Sequence, residues 1–183
     1  CHYKLIMHYS ETKRLSNSGH LTKLILKKSD ILVRGKKDSP IDYGNLAKKD
    51  HCNLLLFPRS DSLCLEELDV STLKKPVNFI IPDGNWSQGA KIANRLRSDK
   101  RVQPVFLKNP PPSSYYLRFN PHSHKISTFE ALIYAASFFE SAHLIAEMKN
   151  LFQTMVKHAF IARGKSFDST QQQKQSDVCS FSK

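Results

Sequence analysis

The stretch Val77–Leu96, VNFIIPDGNWSQGAKIANRL, puts groups able to do chemistry where the chain is about to turn. An apolar run ends at Pro82-Asp83-Gly84, a strong turn signal, and passes straight into a helical pattern. Asn85 suits the N-cap of that helix, and Gln88 three residues on completes a capping-box pattern. Asp83 therefore falls just beyond a strand's carboxyl end and beside a helix start, which is where open α/β sheets bind ligands. The same residues also read more plainly, as a common Asp-Gly turn, an acid favoured by the helix dipole and a core tryptophan at Trp86.

Those groups need a sheet and helices to hold them. Three short apolar runs read as buried strands: Lys4–Tyr9, Cys52–Phe57 and Val77–Ile81. Asp30–Val33 and Val102–Leu107 are weaker strand candidates, and Pro104 pushes the latter towards a sheet edge. Between them, Leu21, Leu24 and Ile25 form an apolar stripe in Ser18–Lys28, and Trp86, Ala90, Ala93 and Leu96 recur at helical spacing in Trp86–Arg97. From Thr128 a stripe through Leu132, Ala135, Phe139, Ala142 and Ala146 predicts a long helix, with further helix to about Ala162. His143 falls on that stripe and reads as structural. Lys36–Asp50 and Lys108–Tyr116 read as loops. Strands alternating with helices predict an α/β fold: a largely parallel sheet with flanking helices, followed by C-terminal helices. One domain is expected over 1–163, ahead of a polar, flexible tail at 164–183.

The 28 Lys and Arg against 16 Asp and Glu leave a net charge of +12, which attracts a polyanion, most simply a nucleic acid. Cys1, Cys52, Cys64 and Cys179 form no C-x-x-C pair and no disulfide framework, so they read as reduced thiols of a cytoplasmic protein. The first residues show no apolar signal-peptide region, and the longest apolar run, Ala131–Phe139, falls far short of the roughly 20 residues of a membrane span. His122 and His124 share a loop, but two histidines do not make a metal site, and no metal is expected.

Asp83-Gly84-Asn85-Trp86 resembles the D-x-T-W signature of the DTW domain, a branch of the knotted SPOUT-like superfamily. Two further blocks match in the same order. His8–Ser18, HYSETKRLSNS, is similar to the family's H-x-x-E-x-x-R-x-x-N-T. Tyr116-Leu117-Arg118, followed by Ser127-Thr128-Phe129-Glu130-Ala131, is similar to its L-R … S-T-x-E-A, and Leu56-Phe57-Pro58 is like its L-[YF]-P. Asn85 and Ser18 stand where the family usually carries Thr; at an N-cap, Asn does the work of Thr. The family's Cys-rich, zinc-site-like segment ahead of the first strand has only Cys1 as a counterpart, and one thiol cannot make a structural site.

The resemblance implies a SPOUT-like α/β knot. It also implies an enzyme that moves the 3-amino-3-carboxypropyl group of S-adenosylmethionine onto ring N3 of a tRNA uridine, releasing 5′-methylthioadenosine. Asp83 would be the base or the group orienting the uracil imide, with Arg14 and Asn17 beside it on the loop after the first strand. Leu56, Phe57, Pro58 and Trp86 would wall the cofactor, and Arg118, Ser127 and Thr128 would meet its carboxylate. From the residues alone, Ser127 and Glu130 also make a plain capping box, Glu11 and Arg14 a local ion pair, and His8 a core or capping histidine. Lys27, Lys28, Arg34, Lys36, Lys37, Lys91 and Arg95, with Lys48 and Lys49, are the expected RNA contacts. The competing readings are a methyltransferase of the same superfamily, a non-catalytic tRNA-binding module, and transfer to ribosomal rather than transfer RNA.

Overall fold

Val77–Asp83 is the most deeply covered strand, buried at every position except Pro82. A strand covered on both faces loses its polar–apolar alternation, which is why these runs are continuously apolar. The computed structural model describes residues 1–36, 38, 40–73, 75–115 and 126–164. Among them are six strands: β1 (His2–His8), β2 (Ser29–Arg34), β3 (Cys52–Leu56), β4 (Leu63–Cys64), β5 (Val77–Asp83) and β6 (Val102–Phe106). They form one sheet in the order β2-β1-β5-β3-β6-β4, with every pairing parallel. Four α-helices accompany them: α1 (Leu21–Ile25), α2 (Trp86–Arg95), α3 (Thr128–Ala136) and α4 (Ala142–Ile161).

Helices cover both faces. On one, Leu5 and Met7 of β1 and Phe79 and Ile81 of β5 pack with Leu132 of α3 and Met148 and Phe152 of α4. On the other, Ile6, Leu55 and Ile80 pack with Leu46 and with Ile92 and Leu96 from α2 and its end. The β1-to-β2 connection leaves the sheet centre one way and the β5-to-β6 connection leaves it the other. Right-handed crossovers running in opposite directions must put their helices on opposite faces. Leu21 of α1 and Ile92 of α2 do lie in the two separate cores. A switch point results between the carboxyl ends of β1 and β5, where Met7 pairs with Asp83.

The α/β parallel sheet matches the sequence reading, and several details differ. β6 has neighbours on both sides, yet β4 reaches only Val105 and Phe106, so Pro104 faces no partner on that side. Leu24 is exposed, because a 3-10 turn at Ser18–His20 precedes a helix of only five residues and turns Leu21, Thr22 and Leu26 inward instead. Trp86 is 58% exposed; α2 buries Gly89, Ile92 and Ala93. The long helix divides at 137–141, where the Ser141 side chain accepts the Leu144 amide and caps α4. That break shifts the stripe to Ile145, Met148, Phe152 and Val156 and leaves Ala142 and Ala146 exposed. His143 is therefore on the outside, 3.6 Å from Glu147. Cys1, Cys52 and Cys64 are free thiols, and Cys179 lies outside the described residues.

Candidate active site

Asp83 closes β5 and is only 4% exposed. A buried carboxylate needs donors. Asn17 Nδ2 donates to its Oδ2 at 2.8 Å, and the Thr128 hydroxyl donates to its Oδ1 at 2.6 Å. Asn17 Nδ2 also reaches Oε2 of buried Glu11 at 3.5 Å, and Glu11 pairs with Arg14 at 3.0 Å. Three distant segments thus meet at the switch point as one polar chain: the loop after β1, the end of β5 and the start of α3.

Local structure aims each member. Asn17 Oδ1 accepts the Gly19 amide at 2.6 Å and caps the 3-10 turn, which frees its amide nitrogen to face Asp83. Gly19 makes room for that approach, since a Cβ there would stand 2.8 Å from Asp83 Oδ2 and 2.9 Å from Asn17 Oδ1. Ser127 and Glu130 form the capping box that starts α3 and so sets Thr128. Glu130 also accepts from the Ser113 hydroxyl at 2.8 Å and the Ser114 amide at 2.6 Å, and the Tyr115 hydroxyl donates to the Ser16 carbonyl. Phe129 donates its amide to Ser18 Oγ at 3.4 Å, a second tie between α3 and the loop after β1. Arg14 ends outside, its side chain 60% exposed.

The aromatic members sit on the α2 side of the same edge. Asn85 and Gln88 cap α2 reciprocally, which fixes Trp86 at the first helical position. The Trp86 ring lies 5.0 Å from that of Phe57, tilted by 36°. Phe57 in turn rests on Gly89, where a Cβ would come within 2.8 Å of its ring. Leu56 is half-buried and Pro58 exposed. A cavity of about 190 Å³ lies between α3, α4 and the 111–114 segment; Glu130 lines it and Asp83 does not. Arg118 and Lys37 lie outside the described residues.

The basic residues divide between the two sheet edges. Arg34 ends β2 at the carboxyl edge, with Lys36 beyond it. Its Nη1 is 3.5 Å from the Gln88 carbonyl. The pKa of His8 is lowered by burial first and then by Arg34 and Lys91, with Glu11 opposing. Lys27 and Lys28 precede β2, and Lys48 and Lys49 precede β3, so these four belong to the amino edge. Arg95 stacks over the Tyr43 ring at 5.4 Å, away from Asp83. Sequence reasoning missed Gly19 and the Ser113 and Ser114 bonds to Glu130. Asn17-Ser18-Gly19 carried a signal for the first, as an Asx-type turn that needs no side chain at its third residue.

An open, doubly wound parallel sheet with a polar network at its switch point defines a class: α/β proteins built to hold a ligand at the carboxyl edge. The family model of the DTW domain matches residues 1–160, and the chain belongs to the DTW domain family. It is similar to a Mus musculus protein named tRNA-uridine aminocarboxypropyltransferase 2, with 28% identity over 149 residues, 80% of this chain and 50% of the relative. A Macaca fascicularis protein of the same name is 26% identical over 150 residues, again 80% and 50% of the two chains. A Drosophila melanogaster protein so named is 28% identical over 142 residues, 75% of this chain and 55% of its own. The chain spans about half the length of the curated relatives it matches. No solved structure matches it.

Proposed function

We propose that residues 1–163 act as one catalytic domain that transfers the 3-amino-3-carboxypropyl group of S-adenosylmethionine to ring N3 of a uridine in tRNA, releasing 5′-methylthioadenosine. The observation that carries this reading is the meeting of Asn17, Asp83 and Thr128 through hydrogen bonds of 2.8 and 2.6 Å. They come from three of the four blocks by which the chain resembles the family, and its curated relatives bear the transferase name.

In the transfer, the uridine N3–carbon bond forms as the carbon–sulfonium bond breaks, the sulfur keeps that electron pair as the neutral thioether of methylthioadenosine, and the N3 proton passes to solvent water. The chain's own contribution is positioning, which alone supplies a large share of such rate gains. Asp83, buried and accepting a bond at each oxygen, serves as an orienting group rather than as the proton acceptor: it locks the loop after β1 against the start of α3. The exposed ring of Trp86, backed by Phe57 and rimmed by Leu56 and Pro58, suits the adenine and apolar parts of the donor. The start of α3, at Ser127 and Thr128, favours the donor's carboxylate through the helix dipole, and Arg118 is its second partner. Arg14, exposed beyond Glu11, and Arg34, Lys36 and Lys91 meet RNA phosphates.

The test is incubation of the protein with labelled S-adenosylmethionine and unmodified tRNA, followed by mass analysis of nucleosides and by-products. Aminocarboxypropyl-uridine with methylthioadenosine supports the proposal. Methylated nucleoside with S-adenosylhomocysteine, or tRNA binding without turnover, overturns it.

A further inference from the structure

The carboxyl edge also carries a feature on the far side of β1 from Asp83. Tyr9 is 52% exposed, although a large aromatic ring is costly to leave in water. It does not hang loose. Its carbonyl accepts the Thr12 amide at 3.2 Å and the Thr12 hydroxyl at 2.7 Å, which fixes the backbone in a 3-10 turn. Its ring lies 4.9 Å from that of His8, and His8 is itself held by Ser10, whose amide donates to Nδ1 at 3.3 Å. Beneath the ring is the backbone of Gly35, where a Cβ would meet Tyr9 Cδ1 at 2.9 Å and where φ is +92°. Space and backbone conformation both reserve that position for glycine.

Charge surrounds this seat. Arg34 pairs with His8 across β1 and β2, and Lys91, on α2, is near enough to help lower the His8 pKa after burial and Arg34, with Glu11 opposing. Arg59, Arg101 and Lys108 are each neutralised by a neighbouring acid, but among the described residues Arg34 and Lys91 have no acid in ion-pair contact. His8 Nδ1 lies 2.8 Å from Ser10 Oγ and 3.3 Å from the Ser10 amide, with Nε2 turned towards Gly35. A fixed, exposed aromatic face beside two cations without an ion-pair partner has the chemistry that takes an unpaired nucleotide: stacking for the base, charge for its phosphate.

We infer that Tyr9, seated on Gly35 and flanked by Arg34 and Lys91, is a stacking platform for an unpaired RNA nucleotide next to the target uridine. The inference rests on the proposed RNA substrate and narrows it to a uridine presented in a single-stranded loop.

The experiment uses the full chain and two probes, a short fluorescein-labelled oligouridine and a blunt RNA duplex of equal length, followed by fluorescence anisotropy across salt concentrations. Oligouridine is expected to bind more tightly than the duplex. Tyr9→Ala should weaken oligouridine binding roughly ten- to hundred-fold, the range for losing one base–aromatic stack, and Tyr9→Phe should stay within about two-fold. Gly35→Ala, which displaces the ring without removing it, should weaken binding in the same direction, and Lys91→Gln should lower the salt slope by about one. Unchanged melting temperatures keep a folding defect from imitating the effect. Wild-type affinity in Tyr9→Ala, equal affinity for the duplex, or no RNA binding by the wild type would each overturn the inference. Binding that depends on Tyr9, in a protein that makes no aminocarboxypropyl product, would remove the proposed reaction and leave the platform standing. Full turnover with an unaltered KM for tRNA in Tyr9→Ala would do the reverse.

Discussion

β5 places a buried polar side chain near each of its ends, and the two are used differently. Near the amino end, Asn78 is fully buried and donates to the Leu46 carbonyl at 3.0 Å and to Asn53 Oδ1 at 2.7 Å. Asn53, its register partner on β3, accepts the Lys48 amide at 2.8 Å and donates to the carbonyls of Lys48 and His51. Neutral amides there satisfy main-chain groups of a loop and hold it to the sheet. At the carboxyl end, Asp83 accepts from side chains 66 and 45 residues away, and the neighbouring Glu11 leads out to exposed Arg14. Tying backbone needs only amides. A buried carboxylate costs more to desolvate, and a fold that retains one at its switch point is holding other groups in place. The amino edge ties loop backbone to the sheet, and the carboxyl edge joins side chains from three distant segments.

That contrast breaks most readily at Asp83. Asp83→Asn keeps the shape but turns one oxygen into a donor facing either the Asn17 amide nitrogen or the Thr128 hydroxyl. The single-turnover rate with tRNA should fall by roughly 10²-fold or more, the scale of a misplaced reacting geometry. A wild-type rate would erase the distinction between the edges. Asn78→Ala should do the opposite. It should cost about 1–3 kcal/mol of stability, the penalty for unpairing buried polar groups, with the rate per folded molecule unchanged. Denaturant unfolding beside the same assay separates the two outcomes.

Thr128→Val probes the network at smaller scale. It removes one hydroxyl from Asp83 Oδ1 and leaves the Asn17 bond in place. A rate loss of about ten-fold is expected, with about 1–2 kcal/mol of stability, and Thr128→Ser should restore most of both. If Ser fails to restore the rate, then the Thr methyl rather than its hydroxyl matters, and the hydrogen-bonded chain is not what sets α3.

Much of this is legible in the sequence. The runs Cys52–Phe57 and Val77–Ile81 point to β3 and β5 because strands covered on both faces are apolar throughout, and the capping boxes at Asn85 and Ser127 mark two helix starts to the residue. Position beyond a strand end offered Asp83 as a candidate, and the resemblance to the D-x-T-W signature set it apart from a plain Asp-Gly turn. What spacing could not give was direction. Trp86 fits the helical period of a core face, yet only the far end of that stripe, Ala93 and Leu96, is buried; Ile92 and Gly89, with Phe57 against the glycine, complete the packed face. The break after Ala136 was hidden because Phe138 and Phe139 continue the apolar run and pack against the core from outside a helix. The Asn17–Asp83 bond joins residues 66 apart, a separation to which no local periodicity speaks.

The smallest expected effect tests the two edges by pH. The amino edge carries two histidines held below their usual 6.5 and the carboxyl edge one: His2 by burial and then Lys48, His51 and Lys28; His51 by burial and then Lys48 and Lys4, with Asp50 opposing; His8 by burial and then Arg34 and Lys91, with Glu11 opposing. In the unfolded chain these groups take up protons near 6.5, whereas in the folded protein they resist until lower pH. Between about pH 6.5 and 5 the unfolded state therefore binds more protons, and stability falls as the pH falls. Glu66, Asp69 and Asp99 are also held below their usual values, but they release their contribution only below about pH 4.5, so the window belongs to the histidines. These side chains are partly exposed, which limits the change to a few degrees of melting temperature between about pH 7.5 and about pH 5.5, larger at low salt. Lys48→Gln removes the cation 2.6 Å from His2 Nδ1 and should flatten the amino-edge share, leaving the part that His8→Gln removes. A melting temperature that does not move across that window would mean the cations at both edges are already compensated, and the contrast would then rest on Asp83 and Asn78 alone.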